Sequence, residues 1–157
     1  MAPNATPYGA PDRCWLDHDI NVTKLLREAI CKHADDWLAA ELRRRGYFKT
    51  HEERRNSRTG SVSQVRVPVT AADTLAEGEF NRFYIRGVCR RAINEGIAEV
   101  VIYRAKEVEQ PRPESEARRG QHLPAEAVLN DLRNSPGVDT ALGLPSGPNS
   151  GLSVHLP

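Results

Sequence analysis

The chain has 157 residues, of which 39% are hydrophobic and 27% charged, and its net charge is +1. That composition supports a globular core of ordinary size. The near-neutral balance excludes bulk attraction to nucleic acid or membranes, so any such contact must rest on local clusters of charge.

Residues 1–20 carry Pro3, Pro7, Gly9 and Pro11 among few apolar positions. They predict an extended arm, with Trp15, Leu16 and Ile20 as docking points on a neighbour. The arm has no charged n-region and no apolar h-region, so it does not read as a signal peptide.

A first amphipathic helix is expected over 22–45. Asn21 supplies an N-cap. Val22, Leu25, Leu26, Ala29, Ile30, His33, Ala34, Trp37, Leu38 and Leu42 recur at steps of three and four. Arg43, Arg44 and Arg45 suit the negative end of the helix dipole, and Gly46 supplies a left-handed stop. Residues 47–60 read as a flexible basic loop. Val65, Val67 and Val69 then alternate, which predicts a strand over 61–69, with Pro68 confining it to a sheet edge.

A second long helix is expected over 77–95, with Asp73 as an early cap and Asn94-Glu95-Gly96 as the stop. The run Val100, Val101, Ile102 and Tyr103 predicts a strand covered on both faces. Strand, helix and strand in this order suggest a βαβ unit. Residues 110–123 form a proline-rich connection. A short third helix follows Pro124, carrying Val128, Leu129 and Leu132. Leu152, Val154 and Leu156 alternate with polar residues and allow a final strand. The fold class expected is α+β: a small three-stranded sheet with a βαβ unit, two long amphipathic helices, one short helix and extended terminal arms. The domain organisation expected is an arm over 1–20, one domain over 21–137 and a Pro/Gly-rich C-terminal arm over 138–157.

Two clusters of arginine stand out. In the second helix Arg82, Arg86 and Arg90 are spaced by four residues and lie on one ridge, which Arg91 broadens. Such a ridge grips phosphates or carboxylates, or it is a solvated edge paired with Glu79 and Glu95. The segment from Arg43 to Arg66 is also basic, and Arg54, Arg55 and Arg58 in its loop are suited to phosphate contact.

Catalytic and metal signals are weak. His51-Glu52-Glu53 lacks a second histidine, there is no CxxC pair, and no glycine-rich loop opens a helix. Cys31 reads as buried, and Cys89 sits among apolar neighbours where a thiol is inert. Three scattered cysteines, Cys14, Cys31 and Cys89, argue against a disulfide framework and fit a reducing compartment. The expectation is therefore no catalytic residue, no metal and no cofactor.

The function expected is that of a non-enzymatic interaction protein. It would be a component of a virion or other multi-subunit complex, partnered by other protein subunits and by nucleic acid, in the cytoplasm or within that assembly and not at a membrane. The alternative is a small metal-dependent nuclease that uses Glu77, Glu79 or Glu99 with Lys106.

Overall fold

The computed structural model describes residues 22–134, 142–143 and 151–157. The expected arm over 1–20, the Asn21 cap and most of the glycine- and proline-rich stretch before residue 151 lie outside them. The chain divides into two compact units at Glu77/Gly78. Helices and strands are mixed, and the class is α+β.

In the first unit, α1 (Val22–Lys32) and α2 (Asp35–Arg44) pack on each other. Leu25, Leu26 and Ala29 of α1 and Leu38, Ala39 and Leu42 of α2 are buried. These are stripe positions read from the sequence, but the stripe spans two helices and not one. The break falls at His33-Ala34, where Ala34 is extended with φ −141° and ψ −173°. Asp35 and Asp36 then restart the chain with negative charge at a helix N-terminus, where the dipole favours it. The Asp36 side chain accepts a 2.7 Å hydrogen bond from Trp37 N–H, and the His33 ring stacks on Trp37 with centroids 4.2 Å apart. Ile30, His33 and Ala34 are exposed, as is Cys31, which the sequence placed in the core.

The stop at Gly46 is a Schellman motif. Gly46 has φ +67°. Its N–H donates to Arg43 O, and Tyr47 N–H donates to Leu42 O at 3.2 Å. After it come β1 (His51–Arg55) and β2 (Val62–Arg66), an antiparallel pair that forms a two-stranded sheet by itself. The segment expected as a flexible loop is thus partly a strand. α3 (Ala71–Asn94) begins six residues ahead of the expected start at 77 and runs across the division between the units. Near its start Asp73 pairs with Arg43.

In the second unit, β3 (Glu99–Arg104) lies between β4 (His122–Pro124) and β5 (Leu152–His155), and both pairings are antiparallel. The expected βαβ unit is absent among the described residues. Residues 62–66 pair with 51–55 across a short turn, which costs about 1.5 kcal/mol less closure entropy than reaching β3 across a 24-residue helix. The edges of β3 are filled by strands that follow it in the chain. The final strand does form, but its pattern is not alternating: Leu152, Ser153 and Val154 are all buried.

One core holds this sheet. Ile85, Cys89 and Ala92 of α3 meet Val100 and Ile102 of β3, Val128, Leu129 and Leu132 of α5 (Ala125–Asn134), and Leu152 and Val154 of β5. The expected connection at 110–123 contains the one-turn helix α4 (Pro113–Glu116), which begins on its proline. Glu116 pairs with Arg104 at 2.8 Å.

Candidate nucleic-acid interface

The hairpin of β1 and β2 is built from its turn outward. Asn56 Oδ1 accepts from Arg58 N–H at 2.9 Å and Thr59 N–H at 3.1 Å, an Asx-type closure. Gly60 takes φ +71°, which its missing Cβ permits, and its N–H donates to Asn56 O at 2.8 Å. Asn56 N–H donates to Ser61 O at 2.8 Å and closes the turn. The segment read as flexible is a hydrogen-bonded turn between strands in register from His51↔Arg66 to Arg55↔Val62.

Alternation gives the ribbon two faces. Glu52 is buried and Val65 half-buried, and they are cross-strand partners, so their face is the covered one at that end. The opposite face carries His51, Glu53 and Arg55 on β1 against Arg66, Gln64 and Val62 on β2, and all six are exposed. Gln64 donates to Glu53 across the strands at 3.4 Å. Arg55 Nε donates to Gly60 O at 3.3 Å, which lays the guanidinium over the turn. Arg54 lies on the covered face towards the tip and is itself exposed, 3.4 Å from Glu52. Among the described residues Arg58 and Arg66 have no ion-pair partner.

The arginine ridge of α3 is divided in role. Arg82 is 8% exposed, and its guanidinium donates to Leu132 O near the end of α5 at 3.4 Å. It is a structural cation that satisfies a helix-terminal carbonyl. Arg86 is half-buried, with its guanidinium carbon 4.8 Å from the Phe83 ring centroid, a cation–π contact. Arg90 is exposed. Arg91 is exposed and pairs with Glu95 at 2.8 Å, one of the two internal partners the sequence offered. The helical spacing is therefore present, but it does not present four cations to solvent. Periodicity places residues on a ridge without saying what packs beside it.

The other partner, Glu79, is 9% exposed, and among the described residues its Oε2 has no hydrogen-bond partner. Burial pushes its carboxyl up to about 7, against the pull of Arg82 and Arg86. Glu99 is exposed at the start of β3 and lies 3.2 Å from His122. Among the described residues no three His, Cys, Asp or Glu side chains come together to hold a metal ion. Burial pushes the Cys89 thiol up to about 11, which suppresses the nucleophilic thiolate. Among the described residues no helix is long and apolar enough to cross a membrane.

The residues that sequence reasoning left out of the candidate site are Val62 and Gln64 of the outer ribbon face; Arg66 was counted in the basic segment but not singled out. The available signal was the turn chemistry of Asn56 and Gly60 ahead of Val62 and Val65; His51 to Arg55 carries no β-favouring residue. Comparison with protein families, curated proteins and solved structures finds no match for this chain.

Proposed function

We propose that this chain is a non-enzymatic interaction protein, a component of a larger assembly, whose β1–β2 hairpin contacts the phosphate backbone of nucleic acid. The observation that carries this is the hairpin's exposure together with its charge. Four arginines, Arg54, Arg55, Arg58 and Arg66, stand exposed on a ribbon where Glu53 is the one exposed carboxylate. A two-stranded ribbon is marginal in water by itself, and here one end of one face is covered. A sequence that maintains such an element and decorates it with guanidinium groups suits an anionic partner. In the second unit Arg90 is exposed, while Arg82 and Arg91 are engaged by Leu132 O and Glu95.

The test is fluorescence anisotropy of labelled nucleic acid titrated with the whole chain, across 50 to 200 mM salt, for the wild type and an Arg54→Ala/Arg55→Ala/Arg58→Ala variant. Each lost phosphate contact lowers the salt slope by about 1, so the triple variant is expected to lose a slope of about 3 and at least tenfold in affinity at low salt. Circular dichroism confirms that the variant folds. An Arg91→Ala control is expected to bind as the wild type does. Absence of wild-type binding at 50 mM salt, or a triple variant with unchanged slope, overturns the proposal.

A further inference from the structure

Resting on that reading, we infer that the outer face of the hairpin reads base edges in the major groove of duplex DNA. The dimensions are the first support. Two strands about 4.8 Å apart, with side chains on one face, fit a groove about 12 Å wide. A strand of five residues extends about 16 Å, enough to span four or five base pairs at about 3.4 Å each.

The chemistry of that face is the second support. Contact with phosphate needs cations alone, yet the outer face carries, beside Arg55, Arg66 and His51, an amide, a carboxylate and an apolar side chain, the kinds of group that distinguish base pairs. Arg66 presents a guanidinium fork of the kind that binds guanine O6 and N7. Gln64 presents an amide, and its cross-strand bond to Glu53 uses one N–H, leaving its carbonyl and second N–H to face adenine N6 and N7. Glu53 is an acceptor suited to cytosine N4. Val62, 60% exposed, is an apolar surface suited to the thymine methyl. These side chains occupy successive cross-strand pairs on one face, Arg66 opposite His51, Gln64 opposite Glu53 and Val62 opposite Arg55.

Arg58 in the turn stands at one end of this surface, where phosphates border a groove. Its part is to position the ribbon and that of the outer face is to specify sequence. A-form RNA offers no equivalent, because its major groove is too narrow and deep for side chains to read.

The experiment is selection of binding sites from a randomised duplex DNA library by the full chain. Anisotropy follows on the selected duplex, on a duplex RNA of the same sequence and on duplex DNA carrying 7-deazaguanine. The expected outcome is an enriched motif of three to five base pairs and preference for DNA over duplex RNA. Replacing guanine N7, which leaves the minor groove and backbone untouched, is expected to weaken binding about tenfold or more. Gln64→Ala is expected to weaken binding to the selected site by about 10- to 100-fold while binding to unrelated duplex stays within about threefold, and Arg66→Ala is expected to weaken the selected site by a larger factor than unrelated duplex. Failure to enrich any motif, equal binding to duplex RNA, or variants that weaken every sequence alike would overturn base reading. Salt-dependent binding lost in the triple arginine variant would still support backbone contact, so the two ideas fail separately.

Discussion

Replacing Glu79 with glutamine tests the electrostatics of the second unit directly. The Glu79 carboxyl titrates at about 7 in the fold against 4.5 for the group in solvent. The folded chain therefore holds a proton that the unfolded chain has released, and stability falls as pH rises between those two values. Below 4.5 both states are protonated and the group contributes nothing. Above 7 the full penalty of a buried carboxylate is present, about 3 kcal/mol from the gap between the two values. Arg82 and Arg86 already offset part of it. Urea denaturation at pH 4 and pH 8, followed by far-UV circular dichroism, is the assay. The wild type is expected to lose about 3 kcal/mol more than Glu79→Gln across that interval. Carbon-13 titration of the Glu79 side chain, expected to show a midpoint near 7, checks the cause. Parallel stability profiles for the two proteins, or a midpoint below about 5, would refute the reasoning.

Three other expectations concern stability. Ile102→Ala, at the centre of the β3 core and 1% exposed, is expected to cost about 2–5 kcal/mol in urea denaturation, because neighbours on α3 and α5 cannot close the cavity fully. Gly151→Ala is expected to cost more than about 2 kcal/mol, since φ is +64° and a Cβ there would collide with Lys106 O, displacing the backbone bond from Ala105 N–H to Gly151 O that begins β5. Gly60→Ala is expected to cost about 1 kcal/mol through φ alone, since its Cβ would meet only the end of the Arg55 side chain. Faster hydrogen exchange in β1 and β2, with β3 unchanged, would report that change.

The helix ends were the most legible part of the fold. Gly46 and Gly96 were read as stops, and both close Schellman motifs, because a left-handed residue after a helix is a local property of glycine. The break at Ala34 was not legible, since the apolar period continues through it; the paired acids Asp35 and Asp36 were the overlooked start signal. Strand identity was legible at Val100 to Tyr103 and at Leu152 to His155, but strand partners were not. Hydrophobic pattern carries no information on pairing, and the short hairpin closure took residues 62–66 away from the expected βαβ unit. At the candidate site, Arg54, Arg55 and Arg58 are exposed as expected, while the ridge lost Arg82 to the interior. Spacing located that residue on the helix, but only packing with α5 shows that it faces Leu132.

The hairpin also bears on solubility. Among the described residues its two strands pair as strands only with each other, and a sheet edge is a template for strand-by-strand stacking of copies. No proline interrupts either strand. Like charge on Arg54, Arg55 and Arg66 opposes the approach of two such edges. If the proposed nucleic-acid contact holds, a polyanion that neutralises those guanidinium groups lowers the same barrier and would gather copies of the chain side by side. Occupancy along a duplex is then expected to be cooperative, with clustering set by the hairpin edges and strengthened as the arginines are neutralised.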